Sequence, residues 1–129
     1  MEPDALIIQD PTLLHQVDVF SGLTPEGYIL INTNKTFEEL GLADLVRGRR
    51  LARLCTVSAT EISLRHVGRP VPNVPLRGGF AAISGVLKLE SVIKAINDRF
   101  SGKVAAGNVA AATEAYNTVR KELEEIAHA

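Results

Sequence analysis

The chain has 129 residues, 46% hydrophobic and 22% charged, a balance that fits one globular domain with an apolar core. A formal net charge of −1 excludes a strong electrostatic claim on nucleic acid or acidic membranes. Cys55 is the only cysteine, which excludes an internal disulfide, a paired redox thiol and a self-contained iron–sulfur site.

The run Ala5-Leu6-Ile7-Ile8-Gln9 predicts a strand over 5–9 that stops on Asp10 and Pro11. Consecutive apolar residues suit a strand covered on both faces, as in a parallel sheet. The chain is thus expected to enter a sheet almost at once, as an α/β module lacking its opening unit. Pro11 and Thr12 can open a short helical segment through Leu13, Leu14 and Val17, with Phe20 beyond. Thr24-Pro25-Glu26-Gly27 reads as a turn. A second strand, 28–32, follows in Tyr28-Ile29-Leu30-Ile31-Asn32, with Thr33 after it. Thr36-Phe37-Glu38-Glu39 has capping-box spacing and predicts a short helix to about Leu40, closed by Gly41.

Residues 51–57 predict a third strand in which Cys55 is a buried thiol. Arg47, Arg49, Arg50 and Arg53 beside it read as a solvated basic loop rather than a phosphate site. Ser58-Ala59-Thr60-Glu61 is a second capping box, opening a helix with Ile62, Leu64 and Val67 that Gly68 and Pro70 end. The prolines at 72 and 75 predict an extended stretch over 71–75. Leu76 to Val86, with Gly78, Gly79 and Gly85, predicts a tightly packed buried helix. Leu89, Val92, Ile93, Ile96 and Phe100 share a helical face that ends at Gly102. Asn108 is expected to cap a last long helix carrying Val109, Ala112, Tyr116, Val119, Leu123 and Ile126 inward. The order predicts one domain over 1–129, a three-layer α/β/α fold with a mainly parallel, Rossmann-like sheet and a helical tail.

Ligands of open α/β sheets bind outside the carboxyl ends of the strands, which singles out Asp10, Asn32 and Thr33. Asp10 has a competing structural role as a cap for the segment after it. Asn73, held among prolines, offers an amide to a partner, a ligand or its own loop. No glycine-rich phosphate loop is present, which counts against tight dinucleotide binding. His15, His66 and His128 lack metal-ligand spacing, and no serine sits in a G-x-S-x-G elbow. Glu122, Glu124 and Glu125 beside Arg120 and Lys121 read as a solvated helix end. No catalytic residue and no metal are assigned. No apolar segment approaches the ~20 residues of a membrane span, and the start has no signal-peptide layout, so a cytoplasmic address is expected.

The order of motifs resembles one known family. Glu2-Pro3-Asp4, Asp10-Pro11-Thr12-Leu13-Leu14, Val17-Asp18-Val19, Gly27-Tyr28 and Ile31-Asn32-Thr33 come first. Ser58-Ala59-Thr60-Glu61-Ile62, Gly68-Arg69-Pro70-Val71-Pro72-Asn73, Gly78, Leu89-Glu90-Ser91, the helix from Ile96 to Phe100 and Asn108 to Tyr116 follow. Together they resemble the gamma subunit of the 2-oxoacid:acceptor oxidoreductases, the pyruvate:ferredoxin type among them. Arg77 departs from the pattern, standing where the family usually has an apolar residue beside the glycine at Gly78. The resemblance covers the whole chain but only the C-terminal two thirds of a gamma-type subunit. The part without a counterpart normally begins with a G-x-G-G-Q-G type loop of the coenzyme A region. An excised fragment, an internal Met taken as the start, or completion by another polypeptide would each account for that.

The resemblance implies a non-catalytic subunit of a complex that oxidatively decarboxylates a 2-oxoacid to an acyl-coenzyme A. It implies alpha, beta and delta type subunits as partners, and neither nucleic acid nor membrane. Thiamine diphosphate, iron–sulfur clusters and coenzyme A would belong to the complex, and none to this chain alone. Asp10, Asn32, Thr33 and Asn73 are the residues expected to border the coenzyme A site. The competing classes are a stand-alone nucleotide-binding α/β protein and a purely structural interaction domain. The isolated chain is expected to be an incomplete folding unit, with the apolar residues and open edge of the strand at Ala5–Gln9 facing water.

Overall fold

A computed structural model describes residues 5–10, 12, 26–47, 49, 53–85 and 87–127. Three strands, β1 (Ala5–Ile8), β2 (Tyr28–Asn32) and β3 (Leu54–Val57), pair in that order, and both pairings are parallel. The register sets Ile8 opposite Ile31 and Asn32 opposite Val57, which aligns the carboxyl ends of all three strands. Central β2 is why its apolar residues are continuous: Ile29, Leu30 and Ile31 face alternate sides, and all three are buried. β1 lies at an edge, and there two-sided burial fails. Ile8 is buried, whereas Ile7 is 39% exposed. The third strand begins later than expected, at Leu54, with Leu51 and Ala52 outside the described residues.

Five helices accompany the sheet among the described residues: α1 (Ala43–Val46), α2 (Ala59–His66), α3 (Asn73–Ser84), α4 (Leu89–Arg99) and α5 (Gly102–Ala127). Leu30, Cys55 and Val57 from the sheet join Ala59, Ile62, Leu76, Ile83, Ala111, Ala115 and Val119 from α2, α3 and α5 in the main core cluster. On the opposite face, Ile8, Ile29, Ile31 and Leu54 pack with Phe37, Leu40 and Leu42 of an irregular segment. The described residues thus put α2, α3 and α5 on one face and the segment of Phe37, Leu40 and Leu42 on the other. The helical segment expected through Leu13, Leu14, Val17 and Phe20, and the Thr24-Pro25 half of the turn, lie outside them.

Several local expectations need correction. The first capping box forms, with Thr36 N–H donating to Glu39 Oε1 and Glu39 N–H to Thr36 Oγ1. What it closes is a run of turns ending at Gly41 (φ 78°), and the short helix α1 starts beyond it at Ala43. The stretch 71–75 is not extended throughout, because α3 starts at Asn73 and takes Pro75 into its first turn. A first-turn N–H has no intrahelical acceptor, so proline there loses nothing. Leu64 points to solvent, and the inward partner of Ile62 on α2 is Ser63. Asn108 is no cap: α5 begins at Gly102, and the Asn108 amide donates to Val104 O one turn earlier. α2 ends before positive-φ Gly68 as read. Gly85, read as a packing glycine inside a helix to Val86, is instead the positive-φ cap that ends α3. Positive-φ Gly102 opens α5, after α4 has ended at Arg99. Gly78 supplies the closest helix approach, where a Cβ would lie 2.1 Å from Ala112 O of α5.

Candidate functional site at the carboxyl edge of the sheet

Parallel strands of equal register end together, so the loops after them share one edge. Asn32 closes β2 there and is 7% exposed. Its Nδ2 donates to Gln9 O after β1 and to Thr60 Oγ1 of α2, both at 2.8 Å. Its Oδ1 accepts from Thr60 N–H at 3.1 Å. A helix N-terminus needs acceptors for its free N–H groups, and the neighbouring strand provides one. The local cap read at Ser58 is accordingly unused. Ser58 Oγ instead donates to Thr33 O at 3.4 Å, and Thr33 N–H donates to Val57 O. Thr33 Oγ1 accepts from Lys35 N–H and holds the turn after β2.

These contacts frame a cleft of about 470 Å3 lined by Thr12, Asn32, Thr33, Asn34, Lys35, Leu40, Ser58, Thr60 and Glu61. Asp10 stands at its rim, exposed, and accepts from Thr12 N–H at 3.0 Å and Thr12 Oγ1 at 2.8 Å. Those two bonds hold its carboxyl below the ordinary carboxylate range. The capping role read for Asp10 is therefore realised over two residues. Asn73 is elsewhere. It is the first residue of α3 and lines a separate cavity between α3, α4 and α5. Of the four residues singled out in the sequence, Asp10, Asn32 and Thr33 share one edge and Asn73 does not.

Lys35, Thr60 and Glu61 line the cleft without having been singled out. Lys35 follows the polar triplet Asn32-Thr33-Asn34, so the length of that polar run is the signal for it. Thr60 and Glu61 were read only as parts of a cap. The cleft offers hydroxyls, amides, one ammonium and one carboxylate, a set suited to holding a polar group. Among the described residues no group of three or more His, Cys, Asp or Glu is placed to bind a metal ion.

The residues do not fit an iron–sulfur cluster or a catalytic thiol. Cys55 is buried in the core, and desolvation, then the nearby Glu122 carboxylate, keep its thiol protonated. Glu122 is drawn in with it, contrary to the solvated reading. Burial pushes its carboxyl above the ordinary range despite the hydrogen bond with Cys55. The solvated reading of the basic loop holds at exposed Arg47 and not at Arg53, whose side chain is mostly covered and donates to Glu26 O. Arg47 pairs with exposed Asp44, and Arg53 lies 4.7 Å over the Tyr28 ring.

The fold and cleft define an open-sheet α/β protein with a polar cleft at the carboxyl edge of its sheet. A family model described as pyruvate ferredoxin/flavodoxin oxidoreductase matches residues 1–118. The chain is 43% identical to the pyruvate/ketoisovalerate oxidoreductases common subunit gamma of Thermococcus litoralis, over 95% of this chain and 65% of that protein. It is 40% identical to the pyruvate synthase subunit PorC of Methanocaldococcus jannaschii, over 94% of this chain and 62% of that protein. The crystal structure of the pyruvate oxidoreductase subunit PORC of Thermotoga maritima superposes with a TM-score of 0.75 at 31% identity, over 90% of this chain and 63% of that one.

The chain belongs to the pyruvate ferredoxin/flavodoxin oxidoreductase family, as the order of its motifs implied. It spans less than two thirds of the length of each of these relatives. No described helix is long and apolar enough to cross a membrane.

Proposed function

We propose that the chain is a gamma-type module of a multi-subunit 2-oxoacid:acceptor oxidoreductase, structural in role and bordering the coenzyme A site. The observation that carries this reading is the match of curated gamma and PorC subunits along nearly the whole chain. The carboxyl-edge cleft supports it by its chemistry. Its hydroxyls, amides and Lys35 suit a polar, anionic ligand, and among the described residues nothing in it is arranged as a nucleophile with a base. In this reading Lys35, Thr33 and Asn34 face coenzyme A, while Asn32 and Asp10 hold the loops that present them. Asn73, on another face, is assigned to subunit contact. Alpha, beta and delta type subunits carry the thiamine diphosphate and the iron–sulfur clusters, and the acyl-coenzyme A forms among them.

The test is co-production of the chain with those subunits, followed by size-exclusion chromatography and an assay of 2-oxoacid-dependent reduction of methyl viologen. The expected result is a stable complex with coenzyme A-dependent activity, and no activity from the chain alone. Lys35→Ala in that complex should raise the KM for coenzyme A with little change in that for the 2-oxoacid. A chain that stays apart from the subunits and instead binds nucleotide tightly on its own would overturn the reading.

A further inference from the structure

The helical side of the molecule holds a larger cavity, about 950 Å3, remote from the strand ends and bounded by the α2–α3 loop, α3, α4 and the start of α5. Three cations, Arg69, Arg77 and Arg99, line it. None of them has an ion pair among the described residues, where Arg47, Arg53, Arg65 and Arg120 pair with Asp44, Glu26, Glu114 and Glu124. No carboxylate lines the cavity among the described residues. A chain of net charge −1 therefore gathers positive charge at this place. Between the arginines the surface is apolar, and Val71 and Val104 remain 44% and 53% exposed. Exposed apolar surface rimmed by charge marks an interaction site more often than a solvated surface.

Asn108 adds a directional requirement. It is 4% exposed and lines the same cavity. Its Nδ2 is committed to Val104 O at 2.9 Å, and a carbonyl only accepts, so the amide orientation is fixed. Oδ1 has no hydrogen-bond partner among the described residues and is open to solvent, so it can accept from water or from an occupant. The wall is also fixed beforehand. Buried Ser63 donates to Arg69 O at 2.6 Å and accepts from Val71 N–H at 3.3 Å, pinning the loop that carries both.

A bare anion answers the arginines but brings no donor for Asn108 and nothing for the valines. A polypeptide segment brings carboxylates, apolar side chains and backbone N–H groups together. We infer that this cavity is a docking site for an acidic, amphipathic segment of a partner subunit. Its carboxylates meet Arg69, Arg77 and Arg99, its apolar side chains cover Val71 and Val104, and one of its N–H groups reaches Asn108 Oδ1. The inference rests on the subunit reading above and names the face by which the chain is held.

The experiment uses the complex co-produced with the proposed subunits. A photoreactive benzophenone side chain placed at Val104 should cross-link to one partner peptide in which Asp or Glu alternates with apolar residues. The double variant Arg77→Glu/Arg99→Glu, its melting compared with the unaltered chain, should weaken assembly by about tenfold or more. Arg120→Glu, an exposed change on the far part of α5, should leave assembly unchanged. A complex that forms with no cross-link from position 104, or with one to a segment lacking carboxylates, overturns the docking site and leaves the subunit reading standing. Absence of any complex overturns both. If the double variant misfolds, the cross-link alone decides.

Discussion

Asn32 ties three elements of this molecule together. One buried amide joins the end of β1, the end of β2 and the first turn of α2 through Gln9, Thr60 Oγ1 and Thr60 N–H. Buried polar groups cost stability unless paired, and Asn32 is paired through both atoms of its amide. Asn32→Ala leaves the Thr60 N–H and the Gln9 carbonyl without their partner. A loss of about 2–3 kcal/mol is expected, counting roughly 1 kcal/mol for each hydrogen bond. It should appear in urea titrations as a lower midpoint with an unchanged slope. Asn32→Asp should not rescue it, because a carboxylate cannot donate to the Gln9 carbonyl. If either variant melts like the unaltered chain, the latch is not what aligns the strand ends.

At the scale of elements, the seam between α3 and α5 is set by backbone contact rather than by side-chain volume. A methyl group at Gly78 would meet the Ala112 carbonyl, and a backbone oxygen cannot swing aside as a side chain can. Gly78→Ala should therefore cost about 3 kcal/mol or more, at the upper end of overpacking penalties, read as a fall in melting temperature.

The second helix contact, α2 with α5, adds an ion-pair cluster to its apolar packing. Glu114 of α5 accepts from Arg65 at 2.5 Å and 3.0 Å, and its Oε1 lies 2.7 Å from His66 Nε2. Burial alone would raise the Glu114 carboxyl, but the bonds to His66 and Arg65 outweigh it and hold the carboxyl below its ordinary value of 4.5. A depressed carboxylate contributes stability above its unfolded-state pKa and loses it as the pH falls through the folded one. The acid limb of the stability profile, below about pH 4.5, should flatten in Glu114→Gln. Glu122 has the opposite sign. Its raised carboxyl makes folding less favourable as the pH rises past the ordinary value, so Glu122→Gln should melt higher than the unaltered chain at pH 7 and not at pH 4.

The misreadings along the chain share a physical cause. Short polar residues were assigned capping roles at Ser58 and Asn108, when the partner of Ser58 is across the sheet and that of Asn108 is one turn back inside its own helix. Ser58 bonds across to Thr33, its capping work is done from β2, and Asn108 sits in mid-helix over a cavity. Prolines at 72 and 75 were read as breaking the chain, but the first turn of a helix tolerates proline. The strands were legible because their apolar runs match the environment of a parallel sheet. The edge position of β1, which exposes Ile7, depends on neighbours no local pattern shows.

At the scale of the molecule, the site was half legible. Topology forces Asp10, Asn32 and Thr33 to one sheet edge, whereas Asn73 was placed by its prolines alone and belongs to another face. The arginine cavity was not legible at all, since Arg69, Arg77 and Arg99 are scattered in the chain and meet only when α3, α4 and α5 pack. What binds the two sides into one unit is the core cluster shared by β2, β3, α2, α3 and α5. Cys55 lies inside it, fully buried, on the strand that faces α5. Burial first and Glu122 second keep the thiol protonated, and alkylating reagents attack the thiolate. Modification in native buffer therefore requires an opening that separates the sheet from α5. Because that separation dismantles the shared core, it is expected to be the global unfolding event rather than a local one. Alkylation by N-ethylmaleimide, followed by mass spectrometry across a urea series below the transition, should quicken with urea, the logarithm of its rate rising linearly as the unfolding free energy measured by circular dichroism falls. Fast modification without denaturant, at a rate insensitive to urea, would show that α5 lifts from the sheet on its own and that the core does not act as one unit.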